Sequence, residues 1–166
     1  MTVYKVIGLE FCKSNLKIVE IVLVRGISPI RQEPFNLTTR LWAQEECLGI
    51  TRTWNNGYHV HQGIHSYYKL NNILEDIQNG GFQCSNESKG IIHVLVECVI
   101  PKDTAYVKDS ENGEIASTEL RINYNGPIKF VYDKARTLWP IDYFGEDHTF
   151  KSFLEFIKSN KNDEKE

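Results

Sequence analysis

Three of the five histidines stand close together, as His59-x-His61-x-x-x-His65. Neutral imidazole ligates zinc, iron or copper, and it changes charge near neutral pH. In an extended strand, side chains alternate between faces. His59, His61 and His65 would then share one face, and Tyr58, Val60, Gln62 and Ile64 the other. An H-x-H pair aims two rings to the same side. Six residues of strand span ~20 Å, so His65 can join a shared ion only if Gly63 bends the chain. His93 and Glu97 fall on the odd face of another strong strand, IIHVLVECVI. If the two strands are neighbours, they supply further ligands. The metal set is then His59, His61 and Glu97. The set for a ligand bound without metal is His59, His61, His65 and His93. The bland alternative is a half-exposed face whose histidines make ordinary hydrogen bonds.

The elements that must position these residues can be read from spacing. After Ser66, a candidate N-cap, Leu70, Ile73, Leu74 and Ile77 recur at helical intervals, and Gly80-Gly81 can end the helix. The expected helix runs from about Tyr67 to Asn79. Thr2 to Glu10 and Leu16 to Val24 read as a hairpin turned at Ser14-Asn15, the second strand being central. Residues 26–34 carry two prolines and read as a loop. Asn36 to Trp42 reads as a short strand, and Asn55-Asn56-Gly57 as a turn. Residues 82–90 are polar and loop-like.

Ile91 to Ile100 has apolar residues at every even position and ends at Pro101, which cannot donate to a ladder. Thr104 to Lys108 and Ile115 to Asn123 form a hairpin about Asn112-Gly113. Ile128 to Tyr132 is a further strand. Residues 137–145 are an aromatic loop. Asp147 is a candidate cap for a last helix carrying Phe150, Phe153, Leu154 and Ile157. Many strands joined by hairpins, with two short helices, predict an α+β fold built mainly on an antiparallel sheet. Residues 1–158 read as a single globular domain and 159–166 as a polar flexible tail.

The chain has 166 residues, 41% hydrophobic and 25% charged, with a net charge of -3. That length is enough to bury a sizeable core. The balance gives no electrostatic case for a nucleic-acid partner. No stretch approaches ~20 apolar residues, so no membrane span is expected. Cys12, Cys47, Cys84 and Cys98 form no C-x-x-C pair, and the start lacks an apolar leader. Free thiols in a cytoplasmic protein are the expectation. Glu114 and Glu119 can serve as general bases, but glutamates beside a hairpin are usually solvated. Trp42, Trp54, Trp139, Tyr67 and Tyr68 suit either an interface or a core.

Two segments, GIHSYYKLNNILEDI at 63–77 and IIHVLVECVIPKDTAYVKDSENGEIASTELRI at 91–122, resemble a loose group of uncharacterised phage and mobile-element domains. Members read as a Gly-Ile/Phe-His element, a short helix, and a strand ending in Cys-x-Ile-Pro-Lys-Gly-Thr. Asp103 stands where that pattern has glycine. The resemblance implies a β-rich α+β fold and carries no function. HVHQGIH with VIPKDTAYV is similar to the two cupin motifs, which implies His59 and His61 as metal ligands. His65 replaces the glutamate of that pattern, Asp103 its glycine and Tyr106 its last histidine. These readings together give a small phage- or mobile-element-type protein. It would bind a protein partner or a small ligand without catalysis and without a cofactor. The alternative is a cupin-like enzyme dependent on zinc or iron.

Overall fold

A computed structural model describes residues 1–14, 17–27, 32–35, 40–42, 52–55, 58–61, 64–79, 90–109, 113–131 and 148–163. The side chains of residues 13–63 lie outside the described set. The strands are β1 (Thr2–Ser14), β2 (Lys17–Ile27), β3 (Gln32–Phe35), β4 (Arg40–Trp42), β5 (Arg52–Asn55) and β6 (Tyr58–His61), followed by β7 (Ile64–Tyr67). Helix α1 (Leu70–Gln78) comes next. Then follow β8 (Ile91–Val99), β9 (Tyr106–Asp109), β10 (Glu114–Ser117), β11 (Glu119–Ile122) and β12 (Ile128–Val131), and helix α2 (Phe150–Asp163) closes the order. The expected α+β fold on a mainly antiparallel sheet is what the chain adopts. Among the described residues there are two helices, neither long and apolar enough to cross a membrane.

The large sheet runs β4-β11-β8-β1-β7-β10-β9, with β2 and β3 extending from β1 and β12 lying on β8. β1 and β8 are its spine, paired from Thr2↔Val99 to Glu10↔Ile91. β10 and β11 are separated by Thr118 alone, yet β10 pairs with β7 and β11 with β8, on opposite flanks of β1. One stretch of chain thus joins the two flanks, and the sheet must curl to allow it. The curl encloses Val3, Ile7, Leu9, Ile64, Val94, Val96 and their neighbours. Phe150, Phe153 and Ile157 of α2 pack into the same core. On the outer face, Ile73 of α1 packs with Val6, Tyr67, Leu95 and Val131. β8 is therefore covered on both faces over Ile92 to Val96, where every position, odd and even, is buried.

Several boundaries differ from the sequence reading. Ser66 is not a helix cap. It and Tyr67 belong to β7, where both bury against the sheet. The helix begins three residues later, with Lys69 at its N-cap and no side-chain cap. Leu70 is exposed, so the buried stripe rests on Ile73. Residues 32–35 form a strand despite Pro34, because β3 pairs only with β2 among the described residues, and an edge tolerates proline.

The last helix is capped by Thr149; Asp147, the expected cap, lies outside the described residues. Thr149 Oγ1 accepts from the Ser152 N–H at 3.1 Å, and Ser152 Oγ accepts from the Thr149 N–H at 3.0 Å. This reciprocal pair satisfies two otherwise orphaned donors. α2 continues to Asp163, so residues 159–163 are helical. The turns expected at Asn55-Asn56-Gly57 and Asn112-Gly113 are described only in part, the loop at 82–90 is described only at Gly90, and the loop at 137–145 lies outside the described residues. Gly113 itself has φ 69, as the expected hairpin turn requires.

Candidate functional site

The histidines separate into three settings. His59 and His61 lie on β6, which pairs with β5 in a separate two-stranded sheet, opposite Trp54 and Arg52. Gln62 and Gly63 lie outside the described residues, and β7 resumes at Ile64. No pairing among the described residues sets β6 beside β8. His65 lies on β7 across from Ala116 and is half-buried. Its parity with Tyr67, which pairs with Tyr4, places it on the outer face of the sheet. His93 lies on β8 between Gly8 of β1 and Val131 of β12. It shares the outer face with His65, and β1 runs between them.

His93 is 3% exposed, so it is an interior group rather than a surface contact. Its Nδ1 makes no hydrogen bond among the described residues. Glu97 shares the face of His93, but buried Leu95 stands between them. Four residues of strand separate their backbones by ~13 Å. Glu97 Oε2 accepts from Asn123 Nδ2 at 3.1 Å, and its carbonyl accepts from the Asn123 N–H. Among the described residues, no three His, Cys, Asp or Glu side chains are grouped to hold a metal ion.

Two polar clusters stand where the sequence reading placed none. The first lies under α1. The Tyr67 hydroxyl donates to Asp76 Oδ2 at 2.5 Å, and Glu114 faces Tyr67 across the β7–β10 pairing. Burial pushes the phenol far above its ordinary value, with the Asp76 hydrogen bond and the Glu114 charge adding to the effect. The cluster fastens the helix to the sheet rather than activating the phenol.

The second cluster lies inside the curl. Lys5 is 4% exposed, in the row that holds Val3 and Ile7. Its Nζ donates to the His65 carbonyl at 2.6 Å. Burial lowers its amine to about 8, against the opposing pull of Cys98. The buried Cys98 thiol is pushed up to about 12, chiefly by desolvation. The hydroxyl of Ser66 is enclosed without a hydrogen-bond partner among the described residues, whereas that of Ser117 donates to the Glu119 carbonyl at 3.0 Å. An amine of such low basicity is chemically capable of attacking a carbonyl. Here it is enclosed and donates to main chain. The inward lysine was visible in VYKVIGLEF, where Val3, Lys5, Ile7 and Leu9 alternate. The Tyr67–Asp76 pair left no comparable signal, because it depends on where the helix starts.

No family model, no curated protein and no solved structure matches the chain.

Proposed function

We propose that the chain is a phage- or mobile-element-type binding protein that acts on a protein partner or small ligand without catalysis. What supports this reading is where the ionisable groups of the described core are engaged. Lys5, Tyr67, Asp76 and Glu97 hold main chain, helix and turn together in interior hydrogen bonds. His59, His61 and half-buried His65 are the contacts assigned to the ligand or partner. A protonating imidazole there weakens binding as pH falls through the range of about 5 to 8.

The test is the metal content of untagged protein, followed by histidine NMR. The binding reading expects no stoichiometric metal, and His59 and His61 ring signals that do not shift with added zinc. One zinc or iron per chain, lost in a His59→Ala/His61→Ala variant, would replace it with the cupin-like, metal-dependent reading.

A further inference from the structure

β9 ends the path of the large sheet among the described residues. The side it turns toward β10 is marked by the bond from the Thr118 N–H to the Ala105 carbonyl at 3.2 Å. That bond continues the β9–β10 register, in which Tyr106 faces Ser117 and Lys108 faces Ile115. Hydrogen-bonded pairs alternate with non-bonded ones in an antiparallel ladder. Ala105, Val107 and Asp109 therefore turn their main chain toward β10. Tyr106 and Lys108 turn theirs outward, where among the described residues no strand takes it up.

The same two residues present exposed side chains. Tyr106 is 45% exposed, which few large apolar side chains are among the described residues. Lys108 Nζ lies 4.9 Å from the centre of the Tyr68 ring, and Lys69 Nζ lies 5.5 Å from it. Two ammonium groups thus converge on one aromatic ring, and among the described residues neither has a carboxylate partner. Lys69 is also the N-cap of α1, whose first turn holds no acidic residue. A negative charge arriving here would meet both lysines and the positive end of the helix.

We propose that the outer edge of β9 is a strand-addition site for an extended, carboxylate-bearing segment of a partner protein. Main-chain bonds to Tyr106 and Lys108 give the affinity, and Lys69 and Lys108 select the charge. The proposal rests on the binding reading above and names the partner's chemistry.

The probe is a short fluorescent peptide alternating glutamate with valine, measured by anisotropy against the full chain. A lysine–valine peptide is its counterpart. The acidic peptide is expected to bind, and Lys108→Glu to weaken it by at least about tenfold. Tyr106→Pro is expected to abolish binding and keep the fold, because the lost N–H points away from the ladder. Should that variant unfold, hydrogen exchange on the wild type decides. The Tyr106 and Lys108 amides exchange freely alone and become protected with peptide. Metal content and histidine NMR of the same protein report on His59 and His61 whatever the peptide does, so failure here and failure of the histidine reading are told apart. Absence of binding, equal binding of the lysine peptide, or protection elsewhere overturns the proposal. So does concentration-dependent protection of the same amides without peptide, which would make a second copy the occupant.

Discussion

The ammonium of Lys5 reaches across from β1 to the main-chain carbonyl of His65, at 2.6 Å. That bond is set against the desolvation of a cation inside an apolar core. The amine of the folded chain titrates at about 8, against 10.5 unfolded. Below pH 8 both states hold the proton and the full penalty is present. Between those values the unfolded chain holds more protons, so stability rises with pH. Cys98 acts in the opposite sense from pH 9 to about 12, because its folded thiol keeps the proton longer. The interval from pH 8 to 9 therefore belongs to Lys5. We expect urea unfolding to show a rise there, absent in Lys5→Met, and the variant to be more stable at pH 7 by about 1–3 kcal/mol. A variant less stable than wild type would show that the carbonyl bond outweighs desolvation.

Tyr67→Phe removes the donor to Asp76 and leaves a half-buried carboxylate against an apolar ring. The expected loss is about 1–3 kcal/mol in denaturant unfolding. Because the folded phenol keeps its proton far above its ordinary value, an absorbance titration of the native protein should leave Tyr67 silent. Stability should then decline once pH exceeds that of free tyrosine. A phenol titrating with the surface tyrosines would contradict its placement.

Val96 is enclosed in the curl, so Val96→Asp buries an unpaired charge and should unfold the chain. On the other face, Ile73→Ala should cost about 2–5 kcal/mol, since Ile73 is fully buried beneath α1. Leu70→Ala, on the exposed side of the same helix, should change stability by less than about 0.5 kcal/mol. Equal effects at the two positions would mean that α1 docks by a different face.

Thr149→Ala removes one arm of the reciprocal cap on α2. A loss of about 0.5–2 kcal/mol is expected, with Thr149→Ser close to wild type. Calorimetric melting temperatures of the three proteins would check the order.

The spine strand was legible because its even positions, Ile92 to Ile100, are apolar without exception. The hairpin at Gly113 was legible because a left-handed turn favours glycine. The start of α1 was not. Ser66 has the chemistry of a cap and sits before a helical stripe, but its neighbours Ile64 and Tyr67 bury more area as a strand, and tertiary packing prevailed over the local signal. Asp103 shows the converse. Its φ of 67 lies in the region that favours glycine, yet the residue there is an aspartate, so residue type did not mark the position. Of the candidate site, the outer-face parity of His93 with Glu97 was legible. What no spacing could supply is the intervening Leu95 packed under α1, or the pairing of β6 with β5. Both depend on contacts between residues far apart in the chain.

The pairing of β1 with β8 also has a consequence for biosynthesis. Thr2 meets Val99, and Val3 meets Cys98. While the chain is being made, the β1–β2 hairpin can form at once, but the apolar row of Val3, Ile7 and Leu9 waits for residues 91–99. Closure of the curl waits longer still, for Ile122 to reach β8. Contacts of such separation slow folding and leave strand edges open in the interim. A nascent chain stalled before Ile91 therefore holds the apolar row of β1 without β8 beside it, and β1, made well before β8, is among the last strands to be sheltered.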